Sequence, residues 1–518
     1  MPITQLGNIN TTALFVPDVW IQIVPPQALT INGVPTGRLG VVGTASWGPV
    51  NQAVIVGDSA QFYRSFGAYS ARRYDMGTQV ATATQQGAGD LRCVRVTDNT
   101  DLAATSILLT ALTLTARYTG TRGNLIQAVL TAGSRANTWR LVIAIPGQIA
   151  ESFDSIPNNA SSTVTWNNIM AAVNAGTNVL RGPSQTVVAT LAAGVATTIV
   201  AGSSLFTGGT DGATGVTAAM MVGNDAPART GMYALRGQGC GLAVIADLDD
   251  STQWSVLAAF GYSEAIYMIV SGPSNDTISN AVSTKQTAGV DDYSIKTLLG
   301  DWIYWSDPVN QVVRIVSPQG FVAGRLANLS PEQSSLNKPI YGIVSTQRLG
   351  LPGQSGAQTY SMAELTALGQ AGIDVITNPA PSGPIFAARF GHNSSTNPTI
   401  SGDNYVRLTN YLASTFLASM GLFVGRTVSS ELFRQIRSSQ LQFLGDLLGQ
   451  GILGTLDGTL PYNVICDVSN NPPSRTGLGY VQADIQVRYM AILERFIINL
   501  EGGQTVVVTR QTLPSGQR

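Results

Sequence analysis

The sequence predicts a multidomain α/β protein. A discontinuous α/β domain is interrupted by an inserted β-rich domain and followed by an α+β C-terminal domain, with an extended arm at each end. Three observations predict this. Strand and helix patterns alternate over residues 37–96 and again over 213–380. The intervening 105–210 changes to short alternating runs rich in Thr, Ala, Val and Asn. Each terminus carries a β-prone run with no neighbour to form a hairpin.

In chain order, the N-terminal arm spans 1–35 and holds the run Val19-Trp20-Ile21-Gln22-Ile23-Val24, closed by Pro25-Pro26. Such a strand must pair with a distant segment or with another chain. The α/β domain takes 36–104 and 213–384. Its first part has strands at Leu39–Thr44, Val54–Val56 and Leu91–Val96, and helices opening at Asp58 or Ser59 and over Asp75–Gln86. The inserted domain takes 105–212, with strands near Leu125–Leu130 and Trp139–Ile145, and a helix near Trp166–Ala175. It also has a predicted hairpin pairing Thr186–Leu191 with Val195–Val200. From 213 the pattern predicts strands at Leu242–Ala246, Ala265–Val270, Asp301–Trp305 and Gln311–Ile315. Helices are predicted at Ser251–Tyr262, Asn275–Gly289, Gly320–Asn328 and Met362–Ala371. The C-terminal domain, 385–500, has helices at Asn404–Met420 and at Ser430–Leu448, the latter capped by Ser430. Strands follow at Tyr462–Asp467, Tyr480–Met490 and Ile492–Leu500. The C-terminal arm, 501–518, carries Gly502 and Gly503 before the orphan strand Thr505-Val506-Val507-Val508-Thr509.

Composition narrows the function. Charged residues are 11% of the chain, against roughly 25% for an ordinary soluble domain. Lysine occurs only at 285, 296 and 338, so nearly all of the cations are Arg, the cation that interfaces retain. This is the composition of a subunit whose surface is covered by its own copies or by partners. A net charge of −1 without a basic run argues against nucleic-acid binding. The one histidine, His392, removes multi-His metal sites. Cys93, Cys240 and Cys466 form no metal or disulfide pattern and read as buried free thiols. The uncharged stretch between Arg181 and Asp211 is broken by Thr, Ser and Gly and does not read as a membrane span.

Candidate chemistry is sparse. No Lys follows a Gly, which excludes a phosphate-binding Walker loop. Gly237–Gly241 precedes its strand, where a dinucleotide loop would follow one, and so reads as a turn. Asp247, Asp249 and Asp250 read as a solvated helix start, and Arg122 as a structural turn residue. His392 lies in a polar loop and reads as exposed or interfacial. A nucleophile such as Ser271 or Ser317 would have to come from a different domain. No catalytic residue, metal or cofactor is assigned. The residues favour a self-assembling structural subunit that exchanges strands with its neighbours.

Several segments, in order, carry a resemblance to the tail sheath proteins of contractile-tailed bacteriophages. Val16-Pro17-Asp18-Val19-Trp20-Ile21-Gln22-Ile23 resembles the family's PGVYV strand, with Asp18 where Gly is usual. Gly40–Val50 is similar to FVGTAPRGPV, Arg92–Val96 to CYVVRV, and Phe206–Gly212 to LAGGTDG. Ser317-Pro318-Gln319-Gly320-Phe321-Val322-Ala323-Gly324-Arg325 resembles PPSGHVAGVIAR, Asn337-Lys338-Pro339 takes the place of WKAPAN, and Gln370–Asp374 matches AAGIN. Phe443–Gly454 looks like FLRELWRQGALLG, while Cys466-Asp467 and Asn470-Asn471-Pro472 match CDETNNP.

The resemblance implies a subtilisin-like α/β domain without the triad, an outward-facing inserted domain and a tube-facing C-terminal domain. It implies homo-oligomeric hexameric rings stacked around a tail tube protein, with baseplate and tail terminator partners, no nucleic acid and no membrane insertion. Donated strands Val19–Val24 and Thr505–Thr509 would complete sheets in neighbours, with Gly502 and Gly503 as hinge. The Ser430–Leu448 helix, through Arg434, Arg437 and Gln440, would face the tube, although plain core packing explains that helix equally well. The particle would be a virion tail assembled in the bacterial cytoplasm. A phage-like bacteriocin or other contractile injection particle is the alternative, and a non-contractile capsid or scaffold subunit is a more distant one.

Overall fold

The computed structural model describes residues 31–177, 181–192, 197–351, 353, 356 and 358–502, together with the backbone of Ile3–Leu6 and Trp20–Ile23. At its centre lies a seven-stranded sheet. Its spatial order is Ile373–Asp374, Ile295–Leu298, Tyr267–Ser271, Leu242–Ile245, Leu39–Gly43, Leu91–Arg95 and Ala53–Val56. All neighbours run parallel except Ala53–Val56, which pairs antiparallel to Leu91–Arg95 at the edge. The inner strands are buried along their whole length, as a sheet covered on both faces requires. One face packs Phe62, Phe66, Met76, Val80 and Phe321, and the other packs Met221, Met232, Trp254, Leu257 and Phe260.

Local chemistry sets the helices of this body. Asp58 accepts from Gln61 N and opens Ser59–Phe66, and Asp75 accepts from Thr78 N and opens Met76–Gln85. The helix Gln319–Ala327 lies directly on Met76–Gln85, and two glycines permit the approach. A Cβ on Gly320 would fall 2.2 Å from Thr82 Oγ1, and one on Gly324 would fall 2.4 Å from Ala83 O. The segment with the most telling family resemblance is therefore a helix-packing element.

Residues 103–205 build a separate core between two strands of the central sheet. One three-stranded sheet orders Val187–Leu191, Leu112–Thr119 and Ala103–Leu108. A four-stranded sheet orders Glu151–Pro157, Thr138–Ala144, Gln127–Ala132 and Gly202–Leu205. The Ser162–Ala175 helix buries Trp166, Ile169 and Val173 against them. The predicted 186–200 hairpin is not formed. Val187–Leu191 instead pairs with Leu112–Ala116, residues 197–200 have no regular structure, and Val195 and Ala196 lie outside the described residues.

Two further predictions are corrected. Ile303–Asp307 and Val312–Val316 do not join the parallel sheet. They form an antiparallel hairpin extended by Ile343–Thr346, because the short Pro308–Gln311 turn permits only antiparallel return. Ile492–Leu500 is not a strand, because it finds no partner in the described chain.

After residue 400 come the helices Asp403–Met420 and Ser430–Gly449. The cap of the second is Ser429, not Ser430: Ser429 Oγ accepts from Leu432 N while Ser430 is already helical. A two-stranded antiparallel sheet, Tyr462–Ile465 with Asp484–Val487, packs on these helices through Leu412, Phe443, Leu444, Leu447 and Val464.

Candidate assembly surfaces

Buried polar groups first show which parts of the chain are tied together. Lys296, in the middle of a central strand, has no exposed side-chain surface. Its Nζ donates to Asp374 Oδ2 (2.7 Å), His392 O (2.7 Å) and Asp403 Oδ1 (3.1 Å). Asp403 opens the first C-terminal helix and also accepts from Tyr267 OH (2.6 Å) and Ser335 N (3.2 Å). Burial alone would lower the Lys296 pKa, but Asp374 and Asp403 outweigh it and raise it. For Asp403, burial acts upward and Lys296 overcomes it, leaving the carboxyl below its usual range. This node fastens the C-terminal helices to the α/β sheet.

Lys285 is also buried. Its Nζ donates to Ala371 O (2.5 Å), Gly372 O (3.1 Å) and Ser394 O (2.6 Å), and burial lowers its pKa to about 8.

The 103–205 segment is fastened in the same way by two arginines. Arg95, at the end of a central strand, donates to Gly48 O (2.7 Å), Thr119 O (2.7 Å) and Asp211 O (3.0 Å). Arg122 donates to Tyr63 O, Arg64 O and Pro146 O, and its guanidinium lies 4.7 Å from the Tyr63 ring centre. Its turn position therefore serves packing.

The residues weighed for catalysis are not brought together. Ser271 Oγ donates to Gly272 O, Ser317 Oγ to Gln319 Oε1, and His392 Nε2 contacts Glu494 Oε1 at 2.8 Å. Asp250 caps a short 3-10 turn and Asp249 pairs with Arg73, as a solvated helix start requires. Asp247 departs from that reading. It is buried in a left-handed backbone conformation (φ 49°) and accepts from Tyr74 N and Gln79 Nε2. Burial, then the Asp75 charge, pushes its carboxyl up to about 7. The three cysteines are buried, and burial raises their thiols. Among the described residues, no group of three or more His, Cys, Asp or Glu side chains has metal-holding geometry, and no helix is long and apolar enough to cross a membrane.

The assembly candidates sit as follows. Trp20–Ile23 is a strand and pairs in parallel with Ile3–Leu6, a non-adjacent segment of the same chain, which is one of the two partnerships the sequence allowed. Val19, Val24, Gly503 and Thr505–Thr509 lie outside the described residues, and Gly502 is exposed and irregular. On the second C-terminal helix, Arg434 and Arg437 are exposed, with Arg434 paired to Glu431. Gln440 is buried and its Nε2 contacts Met420 Sδ (3.6 Å), so it belongs to the packed face rather than the outer one.

Sequence reasoning missed one feature. Phe496, Ile497, Ile498 and Leu500 are 72–90% exposed, and Arg495–Leu500 makes no hydrogen bond to the described chain. Their apolar character was visible in the sequence, but that no described residue pairs with them was not.

No family model matches the chain, and no curated protein matches it. Solved structures do. A sheath tail protein from Desulfitobacterium hafniense is similar at a TM-score of 0.58 with 15% identity, covering 86% of this chain and 93% of that one. A sheath tail protein from Listeria innocua is similar at 0.58 with 14% identity, covering 84% and 89%. The sheath of an extracellular contractile injection system, in its contracted state, is similar at 0.54 with 12% identity, covering 95% and 99%. The fold therefore defines a class: this is the mixed α/β fold of contractile sheath subunits. Within that class, the chain is similar both to sheath tail proteins and to the sheaths of phage-tail-like injection systems.

Proposed function

We propose that the protein is a structural subunit of a contractile tail sheath. It polymerises as stacked hexameric rings around a tail tube and contracts to drive the tube through the host envelope for genome delivery. The single observation that carries this reading is the fold likeness to a sheath tail protein over 86% of the chain. In this reading the α/β part is a subtilisin-like domain in two pieces, 36–104 and 213–384. It runs no reaction and takes no cofactor. The 105–212 segment is the outer inserted domain, and 385–500 faces the tube with Arg434 and Arg437 outward. Tail tube, baseplate and tail terminator proteins are the partners, and the virion tail, assembled in the bacterial cytoplasm, is the location.

The arms connect subunits. A two-stranded sheet is marginal alone, and Tyr462–Ile465 with Asp484–Val487 has open outer edges among the described residues. Strands donated from Val19–Val24 and Thr505–Thr509 of neighbours would extend it by main-chain hydrogen bonds that persist as subunits rotate. Arg495–Leu500 is a further donor. Phe496, Ile498 and Leu500 fall on one face of an extended strand, while Arg495, Ile497 and Asn499 fall on the other. With no nucleotide loop in the sequence, the work of contraction comes from a metastable extended packing that repacks.

A sheath of a phage-like bacteriocin or other injection particle is the second reading. It is favoured by one observation: injection-system sheaths cover more of this chain than the two sheath tail proteins do.

Negative-stain electron microscopy of the purified chain tests the proposal, with hollow striated tubes of six-fold cross-section expected. Deletion of 501–518 should leave a folded monomer that forms no tubes. Tubes or rings from that truncation would remove the strand-exchange part of the reading.

A further inference from the structure

A groove of about 910 Å³ runs between the α/β body and the segment that leaves the C-terminal sheet. Its mixed polar and apolar lining includes Leu336, Met362, Leu365 and Phe390. One wall is the extended chain Ile492–Arg495. That wall is held in place from both ends: Asn404 Nδ2 donates to Met490 O (3.2 Å), and His392 Nε2 contacts Glu494 Oε1 (2.8 Å). Yet the main chain of Ile492–Arg495 makes no hydrogen bond to the described residues.

Three cations line the same groove, Lys338, Arg389 and Arg495. None of their charged heads has an ion-pair or hydrogen-bond partner among the described residues. Arg38, Arg72, Arg73, Arg314 and Arg348 each meet a carboxylate, whereas Arg64, Arg140 and Arg437, like the groove cations, meet none among the described residues; what sets the groove apart is three such cations around one cavity. Glu494 is the one acid lining the groove, and His392 engages it.

Apolar lining residues, an extended wall and cations without a partner among the described residues are elements of extended-peptide recognition with an electrostatic preference. We propose that this groove binds an extended segment of another protein, rich in carboxylates with apolar side chains between them. The chain's own ends fit poorly. Residues 503–518 carry Arg510 and Arg518 and no acid, and residues 1–30 carry the single carboxylate Asp18. The inference rests on the groove alone and does not depend on the sheath reading.

Fluorescence anisotropy with the full chain tests it. The probe is a labelled decapeptide alternating Glu and Val, compared with a Gln–Val peptide of the same length. The Glu peptide should bind at least about tenfold tighter, and its affinity should fall as salt rises. Lys338→Glu and Arg389→Glu should each weaken it about tenfold or more, while Arg135→Glu, on a distant exposed loop, should not change it. Circular dichroism melts confirm that the variants fold. Equal binding of the two peptides overturns the proposal, as does Glu-peptide binding that survives both charge reversals. Tighter binding of a synthetic peptide of residues 7–19 would assign the groove to a second copy and likewise overturn it.

Discussion

Replacing Lys296 with Met removes the cation that joins the central sheet to the C-terminal helices. Met fills similar space but leaves Asp374 and Asp403 facing each other with no exposed side-chain surface. Neither is stripped of donors. Asp374 keeps Val375 N (2.8 Å), Phe390 N (3.0 Å) and Gly391 N (2.9 Å), and Asp403 keeps Tyr267 OH and Ser335 N. The loss is thus the Lys296 contacts plus the repulsion of two dry carboxylates. Breaking a buried pair by removing one partner costs about 3–5 kcal/mol. At about 2.1 cal/mol/K of unfolding entropy per residue, the full chain shifts by about 1 °C per kcal/mol, so Tm should drop by roughly 3–5 °C.

The pH dependence should change sign as well. In the native chain the Asp403 carboxyl is held low, so its contribution is present above about pH 4 and is lost as pH falls through the lower folded value. In Lys296→Met one carboxyl must retain a proton. Its folded pKa then lies above the unfolded one, so stability declines as pH rises from about 4 toward neutrality. Calorimetry of the full chain between pH 4 and 8 measures both effects, and Asp403→Asn added to Lys296→Met should restore part of the loss. A Lys296→Met chain within about 1 kcal/mol of the native one, with the native pH slope, would refute the reasoning.

Other substitutions probe separate features. Asp247→Asn should stabilise the protein at pH 8 and have little effect near pH 4. The native carboxyl sits near 7, so its penalty grows as pH rises between the unfolded and folded values, and the gain is on the order of 3 kcal/mol by denaturant titration. Gly324→Ala forces a Cβ to within 2.4 Å of Ala83 O and should cost about 1–3 kcal/mol, read from chemical denaturation. Arg95→Met leaves the carbonyls of Gly48, Thr119 and Asp211 without this donor. It should cost about 3 kcal/mol and raise hydrogen exchange around residues 102–120 and 207–212 before the central strands respond.

The α/β body was readable because its signals are local. Asp58 and Asp75 announce their helices with cap chemistry, and Leu242–Ile245 and Tyr267–Ser271 are continuous apolar runs. What the sequence hid was partnership. Val187–Leu191 looks like half of a hairpin, but its partner is Leu112–Ala116, far upstream. Ile295–Leu298 was missed because a lysine at its centre breaks the apolar run. The carboxylates that neutralise that lysine lie 78 and 107 residues away. Ile492–Leu500 has the composition of a strand, and no edge among the described residues pairs with it. Among the assembly candidates, Arg434 and Arg437 are exposed, whereas Gln440 falls on the packed side one turn on.

The chain passes into and out of the 103–205 core through adjacent positions. Leu102 and Thr210 exchange both main-chain hydrogen bonds at 3.1 Å, and Thr105 pairs with Thr207 just beyond. That geometry makes the segment a cassette. A turn of about 2–5 residues could join those positions once the Arg95–Thr119 bond, the Arg122 contacts and the cover over Trp47 are replaced. A foreign domain with closely spaced ends could be carried in the same socket. A lineage could therefore exchange this cassette, and an engineer could load it, while the central sheet, the Lys296 node and the C-terminal helices are inherited unchanged.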